Sequence, residues 1–115
     1  MAADCVFCRI ISGEIPADAV YRDEEMLAFR DIHPVASTHI LLVPREHIPS
    51  VQDLQARHEG LVGRMVLRAR TLAEQEGVAE RGYRLVVNCG REGGQIVPHL
   101  HLHLIGGRKL EDRMG

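Results

Sequence analysis

The order of apolar patterns along these 115 residues predicts an α+β fold. It should have about five strands in a mostly antiparallel sheet, one long helix and a short N-terminal helix. Three observations carry this. Two short β-type runs and a longer third precede a single long stretch with helical periodicity. Two further β-type runs follow it. The last run alternates strictly between leucine and a polar residue, the signature of a strand buried on one face. The length suits one domain, residues 1–115, with no linker or internal repeat.

Asp4 is placed to cap a short helix from Cys5 to Ile11, which Ser12-Gly13 ends. Pro16 then imposes an extended connection. Val20 to Arg22 and Met26 to Arg30 read as a hairpin about Asp23-Glu24-Glu25. Pro34 and Pro44 bracket a third strand, Thr38 to Val43, rich in branched aliphatics. From about Ser50 to Gly77, apolar side chains at Leu54, Leu61, Met65, Ala69, Leu72 and Ala73 recur with a period near 3.6, which predicts one amphipathic helix. Ser50 with Asp53 resembles a capping box at its start. A fourth strand is expected over Tyr83 to Asn88 and a fifth over Val97 to Ile105. In such an order the helix covers one face of the sheet and leaves the other for a site.

Fourteen Lys and Arg against sixteen Asp and Glu give a formal charge of -2. The basic residues are scattered singly, which argues against a nucleic-acid partner. No apolar stretch approaches the roughly 18 residues of a membrane span. The N-terminus lacks a basic start followed by an apolar run, so a cytoplasmic location is expected. In that reducing compartment the pair Cys5-Val-Phe-Cys8 reads as metal ligands or a redox pair sooner than as a structural disulfide. Cys89, in an apolar run, reads as an inert strand residue. A chain this short builds a modest core, so a bound metal or a second subunit would add useful stability.

The chemistry concentrates near the C-terminus. Three of the seven histidines fall in Pro98-His99-Leu100-His101-Leu102-His103-Leu104-Ile105-Gly106-Gly107. In a strand the leucines would face the core and the three imidazoles would line the opposite face at steps of ~6.6 Å. Such a row is open to three readings. It can be the polar side of a half-buried strand, or a catalytic metal site of the His-x-His kind, or a nucleophilic centre in which a neutral imidazole attacks an electrophile while its neighbours hold charge and move protons. The metal reading is the weaker, because no acidic residue adjoins the row to orient it. The preceding loop, Asn88-Cys89-Gly90-Arg91-Glu92-Gly93-Gly94-Gln95, is rich in glycine, and its backbone amides suit an anion. Beside a histidine row this points to phosphate, with attack on phosphorus giving a phosphohistidine that water discharges. His39 suits a hydrogen-bonded core position. His33 and His58 read as solvent-exposed.

The segment His99-Leu-His101-Leu-His103-Leu-Ile resembles the alternating signature of the histidine triad (HIT) family, and the following Gly106-Gly107 is similar to its nucleotide-binding Hint branch. The likeness extends through Cys5-Val-Phe-Cys-Arg-Ile-Ile, Glu14-Ile-Pro, Leu27-Ala-Phe-Arg-Asp-Ile, Thr38-His-Ile-Leu-Leu-Val-Pro, His47-Ile, Gly82-Tyr-Arg-Leu-Val-Val-Asn and Gly93-Gly-Gln. The resemblance implies a homodimer whose sheets join across a two-fold axis. Its substrate would be a purine nucleoside monophosphate ester or phosphoramidate, hydrolysed through a nucleotidyl-histidine. His101 would be the nucleophile and His103 a contact to the α-phosphate. Asp31 would take the ribose hydroxyls, with Val6, Phe7, Ile10, Phe29 and Ile32 around the base. Asn88, Gly94 and Gln95 would hold the phosphate or leaving group. Ile96 stands where many relatives carry Ser, Thr or Glu, and Arg30 where others have His. A dinucleoside polyphosphate hydrolase and a nucleotide-binding adaptor are the alternative functions.

Cys5 and Cys8 resemble the zinc-bearing members of that family. The resemblance adds His47 and His99 to the pair, giving one structural Zn2+ per chain in a closed tetrahedral shell and leaving His101 free to attack.

Overall fold

The computed structural model describes residues 4–113. Its elements, in chain order, are α1 (Val6–Ile11), β1 (Ala19–Arg22), β2 (Met26–Arg30), β3 (Thr38–Pro44), α2 (Glu59–Gln75), β4 (Tyr83–Val86) and β5 (Leu102–Gly106). The sheet order is β1-β2-β3-β5-β4, and every neighbouring pair is antiparallel. The single crossover is the α2 segment, which carries the chain from the central strand β3 to the edge strand β4. The expected α+β architecture is therefore present.

One face of the sheet packs on α2. Leu61, Met65, Ala69, Leu72 and Ala73 of the helix are buried against Met26, Ala28, Ile40, Leu42, Leu102 and Leu104. The spacing of those five residues is what made the helix legible. The other face carries a smaller cluster in which Cys5 and Phe7 of the α1 region cover Leu27, Phe29, Leu41 and Val43. Strand β3 is buried along its whole length, because it is covered from both sides. None of the described helices is long and apolar enough to cross a membrane.

Four boundaries differ from expectation, each for a local reason. The N-cap of α1 is Cys5, not Asp4, and its Sγ accepts from the Cys8 amide at 3.4 Å. The stretch from Ser50 is not yet helix. It runs through two short 3-10 turns, Val51–Asp53 and Ala56–His58, before α2 starts at Glu59. There Ser50 Oγ accepts from the Gln52 amide, and Leu54 is extended, so side-chain capping competes with continuous helix. His58, expected in solvent, is buried. Its Nδ1 accepts from the Gln55 amide at 2.9 Å and its Nε2 lies 3.2 Å from Glu46. Finally, β4 stops at Val86 and β5 begins only at Leu102, leaving Cys89 exposed in a loop instead of in a strand. The Leu100 amide is spent on the Ile48 carbonyl at 2.7 Å, which draws residues before Leu102 out of register with β4.

Candidate active site and metal centre

Only His103 of the histidine row lies within β5. His99 and His101 lie in the segment leading into it, yet the alternation of side chains persists. Leu100, Leu102 and Leu104 enter the core under α2, while His101 stacks edge-on against Phe7 of α1 with ring centroids 5.0 Å apart. His101 and His103 are neighbours at 4.9 Å between centroids. Phe7 also packs edge-on against Phe29 at 5.5 Å, so α1 and β2 wall one side of the row.

Hydrogen bonds assign each imidazole a different task. His99 is fully buried, and its Nε2 donates to the Pro44 carbonyl at 2.8 Å, which leaves the Nδ1 lone pair facing Cys5, Cys8 and His47. His101 Nδ1 donates to the carbonyl of His99 at 2.7 Å, which leaves the Nε2 lone pair free. His103 is addressed from behind by a fourth histidine. His39 Nδ1 accepts from the Val35 amide at 3.2 Å, so its proton is on Nε2, which lies 3.0 Å from His103 Nδ1 and 3.4 Å from Asp31 Oδ2. His103 therefore accepts on Nδ1 and carries its own proton on Nε2. Burial pushes the His103 pKa down to about 4, with the neighbouring His101 and His39 adding to the effect. Burial also lowers His39, against the opposing pull of the Asp31 carboxylate. Both rings are neutral at neutral pH.

This chain corrects the expectation that no acidic residue adjoins the row. Asp31 reaches it through His39, a residue to which sequence reasoning gave no chemistry. The missing signal was strand parity. His39 shares a face of β3 with Leu41 and Val43, and Leu41 pairs with His103 across the β3–β5 ladder.

Among the described residues, two groups of side chains bring potential metal-ligand atoms within 4.8 Å of one another: Cys5, Cys8, His47 and His99, and Asp31, His39 and His103. Tautomers separate them. His39 keeps its proton on the nitrogen that faces the group and has no lone pair there, so the second set is a hydrogen-bonded chain and not a metal shell. His99 presents an unprotonated Nδ1 while its other nitrogen donates to a carbonyl, the usual second-shell arrangement of a ligating histidine. Its Nδ1 lies 3.3 Å from Cys5 Sγ, 3.5 Å from Cys8 Sγ and 3.2 Å from His47 Nδ1, with Cys8 Sγ 3.3 Å from His47 Nδ1. A tetrahedral Zn2+ site places its N and S donors roughly 3.3–3.8 Å apart. Burial, with the thiol of Cys5 beside it, pushes the Cys8 thiol up to about 11, so without a cation Cys8 stays protonated at neutral pH. The donor set fits a metal ion, and all four positions of the shell are filled by protein.

The remaining expected residues are placed as follows. Asp31 Oδ1 accepts from the His33 amide at 2.8 Å. Phe7 and Phe29 are buried, Ile10 is partly covered, and Val6 and Ile32 stand open to solvent. In the glycine-rich loop the side chains shape the loop itself. Asn88 Nδ2 donates to the Gly93 carbonyl at 2.8 Å, Gln95 Oε1 accepts from the Gly90 amide at 2.9 Å, and Gln95 Nε2 donates to the carbonyls of Pro49 and Val97 at 2.7 and 3.0 Å. A Cβ on Gly93 would collide with the Cys89 carbonyl oxygen, and Gly94 has φ +84°, so the turn demands both glycines. Ile96, 91% exposed, follows the loop.

Three histidines in fixed tautomers, on the segment that leads into and along the inner strand β5 of a five-stranded antiparallel sheet crossed by one helix, are the architecture of the HIT domain family. The chain belongs to that family, whose profile matches residues 12–110. Among its relatives is the purine nucleoside phosphoramidase of Escherichia coli (strain K12), 54% identical over 110 residues, which cover 96% of this chain and 92% of that protein. The 14 kDa zinc-binding protein of Brassica juncea is 46% identical over 93% of this chain and 96% of its own length. Among solved structures, a HIT family hydrolase from Legionella pneumophila superposes with a TM-score of 0.94 at 48% identity, covering 96% of this chain and 99% of that one.

Proposed function

We propose that this protein is a purine nucleoside phosphoramidase that works through a covalent nucleotidyl-His101 intermediate. The observation that carries the reading is the free Nε2 lone pair of His101, held by the bond from its Nδ1 to the His99 carbonyl, on a ring whose centroid lies 4.9 Å from that of His103. His101 Nε2 attacks the α-phosphorus of the substrate. A P–Nε2 bond forms, the P–N bond to the leaving group breaks, and the amine departs with a proton taken from solvent, which the attacking water gives back in the next step. Water then attacks the same phosphorus, releasing the nucleoside monophosphate and restoring His101. His103, kept neutral by burial, acts as a hydrogen-bond donor to a phosphate oxygen, and His39 with Asp31 keeps that proton on the outward nitrogen. The 54% identity to the Escherichia coli enzyme supports the substrate class.

Around this centre, Val6, Phe7, Ile10, Phe29 and Ile32 border the purine and Asp31 faces the ribose hydroxyls. Gly94 with its neighbouring amides faces the phosphate, while Asn88 and Gln95 hold the loop that presents them. Cys5, Cys8, His47 and His99 hold one Zn2+ per chain. Bound there, the ion supplies bracing and no chemistry, and the zinc-binding relative supports its identity. The protein acts in the cytoplasm as a homodimer. That assembly is supported at the edge of the sheet, where Leu85 of β4 is exposed and Val87, just beyond the strand, lines with Val66 of α2 an apolar hollow of about 140 Å³.

Hydrolysis of adenosine 5′-phosphoramidate by the native chain and by His101→Ala tests the reading. Turnover reduced by roughly a thousandfold or more in a folded variant is the expected result. Faster cleavage of diadenosine polyphosphates would move the assignment to that substrate class, and tight AMP binding without any turnover would make the protein an adaptor. Light scattering should give twice the chain mass, and elemental analysis one zinc per chain that Cys8→Ser loses.

A further inference from the structure

Away from the histidines, at the end of the sheet where α2 finishes and β5 leaves the core, two adjoining clefts are walled by cations. The larger, about 430 Å³, is lined by Gly77, Val78, Arg81, Gly82, Gly107, Arg108 and Lys109. The smaller, about 240 Å³, shares Arg81, Arg108 and Lys109 and adds Arg84. Four positive side chains thus meet in one place on a chain whose formal charge is -2, and among the described residues no carboxylate lines either cleft. In sequence they form two separated pairs, Arg81 with Arg84 and Arg108 with Lys109, neither long enough to read as a basic run.

Three of the four cations there have no carboxylate partner among the described residues. Among the described residues, Arg81, Arg84 and Arg108 make no ion pair with a carboxylate, unlike Arg9, Arg30, Arg57 and Arg64, which pair with Glu14, Glu76, Glu46 and Glu25. Arg108 Nε donates to the Val35 carbonyl at 3.0 Å, and Arg84 donates to the Glu111 carbonyl. Lys109 pairs with Asp112, but both are almost fully exposed, and such a pair is worth little. The negative end of α2 is also blunted, since the amides of Glu76, Gly77 and Val78 cap the carbonyls of its last turn. Glycines at 77, 82 and 107, all with positive φ, keep the walls free of side chains. At Gly107 a Cβ would collide with Ser37, so the Gly106-Gly107 turn seats the cations against the loop that precedes β3.

Guanidinium groups in such a setting match phosphate oxygens, which they bind in pairs. We propose that the Arg81–Arg84–Arg108–Lys109 cleft is a second anion site that takes an oligophosphate, either inorganic pyrophosphate or the phosphate chain of a nucleotide. It is distinct from the histidine centre, and only the blocking step of its test rests on the functional reading above. The site lies one residue from that centre, because Val35 receives Arg108 on its carbonyl and gives its amide to His39.

The test is titration of inorganic pyrophosphate into the full chain saturated with AMP, followed by calorimetry and by amide chemical shifts. Binding is expected with shifts centred on Gly77, Gly82, Gly107 and Val35. Arg81→Gln should weaken it about tenfold, Arg81→Gln with Arg108→Gln should abolish it, and AMP affinity should stay unchanged in Arg81→Gln. A repeat with ATP distinguishes the sources: tighter binding than pyrophosphate at the same amides points to a nucleotide, and equal binding to the free anion. The proposal is overturned if pyrophosphate binds equally to the doubly substituted chain, if AMP displaces it, or if no binding occurs at millimolar concentration. Should AMP fail to bind at all, the functional reading falls. The same titration without AMP, read at Gly77, Gly82 and Gly107, then still decides the anion site.

Discussion

Replacing His103 by Asn should flatten the pH dependence of stability on the acid side. An unfolded histidine titrates near 6.5, whereas in the folded protein burial and the adjacent His101 and His39 hold His103 at about 4. The folded state resists the proton, so on acidification the unfolded chain takes it up first. The contribution is fully present above about pH 6.5, and stability is lost as the pH falls from there toward about 4. The full difference corresponds to about 3 kcal/mol, of which about 2 kcal/mol is expressed between roughly pH 7.5 and 5. Urea unfolding of the native chain and His103→Asn at those two pH values, with matched zinc, isolates the term, because His39, His99 and the metal ligands are common to both proteins. The native chain should lose about 2 kcal/mol more than the variant. Equal losses, or a smaller loss in the native chain, would refute the claim that His103 is held neutral by its surroundings.

Other outcomes follow from the same geometry. Removal of zinc by a strong chelator should lower stability by about 4 kcal/mol if free metal had stood at about a thousand times its dissociation constant, and Cys8→Ser should reproduce the loss without added chelator; calorimetric Tm in zinc-buffered solution reads both. Leu104→Ala, which opens a hole at a fully buried position between the sheet and α2, should cost about 2–5 kcal/mol by urea unfolding, whereas Leu67→Ala on the exposed side of the helix should change stability by less than about 0.5 kcal/mol. His39→Asn should lower kcat for phosphoramidate hydrolysis more than it raises KM, since it removes the partner that fixes the His103 tautomer and touches the substrate-facing side of the row indirectly.

Much of the fold was legible because two periodicities were clean. Leu61, Met65, Ala69, Leu72 and Ala73 mark the buried stripe of α2, and the Leu100–Leu102–Leu104 alternation marks the face of β5 that meets it. What escaped was set by contacts remote in sequence. The early termination of helix toward Ser50 depends on the Ser50 cap and on a histidine, His58, that is buried only because Glu46 and the Gln55 amide receive it. The late start of β5 depends on the Ile48 carbonyl claiming the Leu100 amide. Of the site, the pairing of Cys5 and Cys8 could be read from spacing, and the histidine row from alternation. His39 could not be read without the register between β3 and β5, and with it went the link to Asp31. Asn88 and Gln95 were expected at the phosphate, yet their side chains meet the carbonyls and an amide of their own loop and its neighbours, a role that only the folded backbone defines.

The central claim is that His101 becomes covalently nucleotidylated, and mass spectrometry of alkali-quenched single turnovers with adenosine 5′-phosphoramidate, kept basic through digestion, addresses it most directly. The account predicts a transient adduct of one AMP per active site, mapped to His101, that forms before AMP is released and is absent from His101→Ala. Full turnover in a time course that shows AMP release with no enzyme-bound nucleotide, or an adduct mapped to any other residue, would contradict it.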